Sequence, residues 1–208
     1  MENVKTTSKI THRQRQALAT QALIVDTARR LFLEQGYHAT TIEMIAAEAG
    51  VAVSTIYAIF RNKRGILQAM REAWHQESGQ RDIYALAREE SDPEKRLALA
   101  AHSTRRQWET GAALTRIYNA AASADPEAAA ELAVALEGRR KFLASFIEEM
   151  AADLRPELEV ARAAEIFYAL TLPEIYDTLV RQRGWTPDEY ETWLTTLLRQ
   201  QLLPRALS

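Results

Sequence analysis

Between Ser54 and Lys63, the stretch STIYAIFRNK sets the hydroxyls of Ser54, Thr55 and Tyr57 beside the cations Arg61 and Lys63. Hydroxyls bond phosphate oxygens and base edges, a tyrosine ring can cover a thymine methyl, and arginine and lysine neutralise phosphate. The chemistry on offer is nucleic-acid recognition. It needs an element that is dry on one side and wet on the other. Ile56 and Phe60 stand four apart, which places both on the inner face of a helix and turns Ser54, Thr55, Tyr57 and Ala58 outward or sideways.

Catalytic chemistry has little to stand on. There is no cysteine, which excludes disulfides and thiolate chemistry and fits a reducing, cytoplasmic setting. The sequence contains no GxSxG, HExxH, P-loop or GxGxxG string, and His12, His38, His75 and His102 are not spaced as metal ligands. Glu148 and Glu149 are adjacent on a helix and point two ways. The expectation is a non-enzyme without metal or cofactor. The first twenty residues lack the apolar block of a signal peptide, and no apolar run approaches membrane-spanning length, so a soluble protein with no membrane partner is expected.

Charge divides the chain. Residues 1–75 carry a net +4 and the remainder −6, within an overall −2. A modestly basic N-terminal segment is the footprint of phosphate binding.

The elements that would position these groups read as helices throughout, because apolar residues recur at three and four and no β-branched run alternates with period two. Ile24, Val25, Ala28, Leu31 and Phe32 stripe a first helix that Gly36 stops. Thr40 and Glu43 stand at capping-box spacing before Ile42, Ile45, Ala46 and Ala49, and Gly50 ends that short helix. Asp92-Pro93, Asp125-Pro126 and Thr186-Pro187 mark later starts. Further helices are predicted near 64–85, 93–109, 112–122, 126–152, 157–182 and 187–203, with Pro173 kinking or breaking the fifth of these. Two short helices around a glycine turn, with a third in front, make a helix-turn-helix.

Read as one string, ATTIEMIAAEAGVAVSTIYAIFRNKRGILQAM resembles the DNA-binding region of the tetracycline-repressor (TetR) family of transcriptional regulators. The likeness runs from about Ala22 to Met70. It implies an all-α protein: an N-terminal three-helix helix-turn-helix head joined to a larger C-terminal helical bundle that dimerises and binds a small molecule. The corresponding divisions are a flexible basic arm over 1–19 with Lys9, Arg13 and Arg15, a DNA-binding domain over 20–70 and a ligand-binding and dimerisation domain over 71–208. Thr41 and Lys63 would hold phosphates at helix N-termini, with Thr40 counted beside Thr41, while Val53, Ser54, Thr55 and Tyr57 would face bases or nearby backbone and Arg61 phosphate. Ala52, Ala58 and Ile59 depart from the family's frequent serine, large aromatic and histidine, which removes a cap and two backbone contacts.

The body is less legible. His102, Arg106, Trp108, Tyr118, Phe146 and Phe167 are candidates for lining a ligand pocket. The last two helices resemble a family dimer interface, which would draw on Ile175, Leu179, Tyr190, Trp193, Leu194, Leu197, Leu198 and Leu202. The function implied is a homodimeric repressor on a pseudo-palindromic double-stranded DNA operator, released by a small-molecule effector. The alternative is a helical ligand-binding or protein-interaction module with weak or lost DNA binding, for which Ala58 and Ile59 speak.

Overall fold

The structure, a computed structural model, describes residues 11–204. The chain divides into two compact units, Met1–Met70 and Arg71–Ser208. All regular elements among the described residues are helical.

The first unit holds α1 (His12–Gln35), α2 (Ile42–Ala49), α3 (Val53–Phe60) and the opening turns of α4 (Lys63–Ser78). Ile24, Ala28, Ile45 and Ile56 are buried, as expected from spacing, and Ile66 and Leu67 of α4 join them. Each buried isoleucine or leucine contributes roughly 1.5–3 kcal/mol by leaving water, and α2 and α3, eight residues each, persist only through that packing. Of the arm expected over 1–19, residues 1–10, Lys9 among them, lie outside the described residues, and the rest is corrected. Thr11 caps α1 in a capping box, accepting from the Gln14 N–H at 3.2 Å while its own N–H donates to Gln14 Oε1 at 2.8 Å. Arg13 and Arg15 are therefore helical.

The second unit is built on α6 (Pro93–Ala124), against which α5 (Gln80–Glu89), α7 (Pro126–Glu148) and α10 (Pro187–Leu202) pack. A helix expected over 64–85 is two, α4 and α5, broken at Gly79, whose φ of 66° no helix accommodates. The helices expected at 93–109 and 112–122 are one. Gly111 sits inside α6 because the Trp74 indole lies where its Cβ would be, 2.8 Å away, so glycine here makes room for a neighbour rather than a turn. Pro173 does break its helix: α8 (Val160–Leu170) stops, and α9 (Pro173–Tyr176) runs into a π-helical turn at Asp177–Gln182. The core joins Tyr84, Leu97, Trp108, Phe146, Phe167, Tyr176, Tyr190 and Leu198.

Candidate nucleic-acid interface and cavity

The turn between α2 and α3 bends the chain by 112°, within the roughly 90–120° of helix-turn-helix pairs. Gly50 makes it possible. At φ 64° and ψ 33° it occupies the left-handed region, its N–H donates to Ala47 O at 3.3 Å and that of Val51 to Ala46 O at 3.0 Å, a Schellman ending. Thr41 caps α2, its hydroxyl accepting from the Met44 N–H at 3.2 Å, and is exposed.

Thr40 requires a correction. It is 1% exposed and its hydroxyl donates to Leu31 O and Gly36 O, so it is neither cap nor DNA contact but a bolt between α1 and the turn. Lys63 is placed differently from a free phosphate ligand. Its Nζ donates to Tyr37 O at 2.7 Å and Thr40 O at 3.0 Å and lies 4.2 Å above the Tyr37 ring. Its charge clasps the turn that precedes α2.

In α3, Ile56 and Phe60 are buried, Ser54 and Ala58 exposed, Val53 and Thr55 half-buried, and Tyr57 48% exposed. The helix starts at Ala52 without a side-chain cap. Its other end is unusual: Arg61 has φ 66° and ψ −41°, the positive-φ conformation outside glycine among the described residues. The exposed Arg61 guanidinium has no ion-pair partner among those residues, whereas Arg30 is spent on Glu48 and Arg29 on Asp26. Asn62 then caps α4, its Oδ1 accepting from the Gly65 N–H at 3.0 Å. A Cβ at Gly65 would stand 1.9 Å from Phe60 O, so this glycine sets the exit of α3. The arrangement is a helix pinned on one side and presenting hydroxyls and one cation on the other.

The second unit contains a cavity of about 560 Å³, open to solvent, within the range of sites that take drug-sized molecules. Trp74 and His75 line it from α4, Gln107, Trp108, Leu114 and Tyr118 from α6, Leu132, Leu136, Arg139 and Phe142 from α7, and Tyr168 from α8. Of the residues expected there, Trp108 and Tyr118 are present. Phe146 and Phe167 are not, since they stack on each other at 5.8 Å, fully buried in the core. His102 faces Glu191 at 3.0 Å, in the contact of α6 with α10, and Arg106 pairs with Glu109 at 3.6 Å. Burial lowers the His75 pKa, and its Nδ1–H donates to Gln80 Oε1 at 2.7 Å, leaving a neutral imidazole in the wall.

Sequence reasoning missed Arg139. It lay in a run with Arg140 and Lys141 that reads as a solvated face, and those two do pair with Glu137 outside. Yet Arg139 is three, four and seven residues before Phe142, Leu143 and Phe146, the apolar stripe itself. Its Nη2 donates to Thr171 O at 2.6 Å and Thr171 Oγ1 at 2.9 Å, and the guanidinium lies over the Trp108 and Tyr168 rings.

The expected dimer face is also redistributed. Tyr190, Leu194, Leu198 and Leu202 are fully buried in their own bundle, because α10 uses its apolar stripe to close the core. Trp193, Leu197, Ile175 and Leu179 remain half-buried. Trp193 and Leu197 line a shallow outer groove of α10 with Trp185, Thr192, Thr196 and Gln200.

Geometry thus defines a helix-turn-helix domain and, separately, a helical bundle with a cavity. Residues 24–70 match the family described as bacterial regulatory proteins, tetR family. Over these residues the chain carries a DNA-binding domain of that family. An uncharacterized HTH-type transcriptional regulator YvkB of Bacillus subtilis is 41% identical over 51 residues, 24% of this chain and 27% of that one, so the matched stretch spans about a quarter of the curated relative. The fold extends further. NalD, the secondary repressor of the MexAB-OprM multidrug efflux pump in Pseudomonas aeruginosa, superposes with TM-score 0.68 at 23% identity, covering 91% of this chain and 98% of that one. The regulator FadR of Bacillus subtilis in complex with stearoyl-CoA gives 0.64 at 21%, covering 85% and 96%. No single helix among the described residues is long and apolar enough to cross a membrane; α2 and α3 are so only as a bent pair, and that bend is the helix-turn-helix.

Proposed function

We propose that the protein is a sequence-specific DNA-binding regulator of transcription, a homodimeric repressor that a small molecule releases from a pseudo-palindromic operator. The observation that carries this reading is the outward face of α3: Ser54, Thr55 and Tyr57 stand on, and Arg61 directly follows, a helix whose opposite face, Ile56 and Phe60, is buried. Such a helix enters a major groove with side chains at base edges and its flanks on phosphate. Two heads are required, because one buries too little surface for tight specific binding. The half-buried Trp193 and Leu197 on the outside of α10 support pairing of two bodies.

The cavity supports an effector, as does the stearoyl-CoA complex of a structural neighbour. α4 carries Lys63 within the first unit and Trp74 and His75 in the cavity wall of the second. An effector that binds the released conformation better than the DNA-bound one shifts the population through that helix. A differential affinity of about 3 kcal/mol weakens operator binding roughly 150-fold.

The test is selection of bound sequences from pooled random duplex DNA at two salt concentrations. A palindrome is expected, with affinity falling steeply as salt rises through counterion release. Weak, sequence-blind binding would refute the reading and favour an interaction module, for which the exposed Ala58 and Ile59 and the uncapped start of α3 speak.

A further inference from the structure

Arg139 carries a charge that its surroundings do not balance. Thr171 occupies Nη2, and the Trp108 and Tyr168 rings cover the guanidinium at 5.3 and 5.0 Å. Nε and Nη1 have no hydrogen-bond partner; the Tyr168 side chain supports the guanidinium without supplying a carboxylate, and no carboxylate of the described residues forms an ion pair with it. The other arginines of the cavity differ. Arg71 stands 3.3 Å from Glu131 and Arg81 2.7 Å from Glu72. Desolvation presses the Arg139 pKa down from its ordinary value, though arginine stays protonated in proteins. Arg139 is half-buried, and a guanidinium whose inner nitrogens are desolvated without an anion carries a cost that is offset when an anion arrives.

We propose that the cavity binds an amphipathic organic carboxylate whose oxygens accept from the unpaired donors of Arg139, with its apolar body against Leu114, Tyr118, Leu132, Leu136 and Phe142. The aromatic rings hold the guanidinium by its faces, so the carboxylate approaches along an edge. One unbalanced cation matches one negative charge. His75 adds no second, being neutral, which favours a carboxylate monoanion over a phosphate dianion. The proposal deepens the reading of this cavity as the effector site and rests on it.

The experiment titrates the full-length protein with decanoate and with 4-phenylbutyrate, each against its primary amide, by calorimetry and by quenching of Trp74 and Trp108 fluorescence. At least one acid is expected to bind about 10- to 100-fold more tightly than its amide. Arg139→Lys should keep part of that preference and Arg139→Met lose it. Equal affinities of acid and amide in the unaltered protein would overturn the proposal, since the carboxylate charge would then contribute nothing to binding. So would absence of binding by both acids at about 1 mM, or a preference that survives Arg139→Met. The acid-amide comparison needs no variant, so a misfolded Arg139→Met leaves the test intact. Operator binding measured with the same compounds separates the two readings. Acids that bind without altering operator affinity sink the release mechanism and keep the site; amides that bind and release as well as acids do the reverse.

Discussion

Gly111 and Gly138 should respond to alanine with opposite signs. Both lie inside long helices, α6 and α7, where alanine is favoured over glycine by about 0.8–1 kcal/mol. Nothing lies within 4 Å of a Cβ built on Gly138, so Gly138→Ala should raise stability by close to that whole amount. At Gly111 the Cβ meets Cε2, Cζ2 and Nε1 of Trp74, all at 2.8 Å. That indole cannot swing aside cheaply: Nε1 donates to Gln107 O at 3.0 Å and to Thr110 Oγ1 at 3.1 Å, and the ring lies 5.7 Å from that of Trp108. Overpacking of this kind costs about 1–3 kcal/mol, so after the propensity gain Gly111→Ala should destabilise by roughly 0–2 kcal/mol. Urea unfolding of both variants, with tryptophan emission as a second probe, checks this. A Gly111→Ala protein as stabilised as Gly138→Ala, with unshifted emission, would refute the placement of Trp74 against α6.

Gly65→Ala should be far worse, with loss of cooperative unfolding of the first unit by circular dichroism, since its Cβ would collide with the Phe60 carbonyl at 1.9 Å. Arg61→Gly should separate stability from function: relief of the positive φ should raise the urea midpoint by about 1 kcal/mol equivalent, while operator affinity in a filter-binding assay falls. The lowered pKa of His75 means the unfolded chain binds its proton more readily, so this stability is full above about pH 6.5 and declines as pH drops through the folded value. Unfolding midpoints between pH 7 and 5 should therefore fall less in His75→Gln than in the parent. If two bodies pair through the outer face of α10 as proposed, Trp193→Glu should shift sedimentation toward a monomer while circular dichroism stays unchanged; an unshifted profile would refute that pairing.

The head was legible because its signals are local. Gly50, the four-residue spacing of Ile56 and Phe60 and the run to Lys63 each act within one or two turns of chain. The misreadings arose where a partner lies far along the sequence. Thr40 has the composition of a cap, and its hydrogen bonds to Gly36 O and to Leu31 O, nine residues back, make it a core bolt instead. Gly111 looks like a helix end until Trp74, thirty-seven residues earlier, fills its missing side chain. The cavity shows the limit most clearly. Phe146 and Phe167 have the same aromatic character as Trp108 and Tyr118, and all four are buried, but helix phase decides that only the second pair also lines the cavity. Arg139 was hidden by its charged neighbours, although helical phase aligned it with Phe142 and Phe146.

The break at Pro173 has a meaning beyond shape. In an uninterrupted helix the Thr171 carbonyl would accept from the Ile175 N–H; here that N–H donates to Leu172 O at 3.3 Å, and the Thr171 oxygen receives the Trp108 indole and the Arg139 guanidinium instead. A lapse in the backbone ladder of one segment thus becomes the anchorage of a cation borne by another. The vocabulary of this cavity is partly main-chain, so two relatives with identical side chains around it could differ in what they recognise merely by where a proline stands.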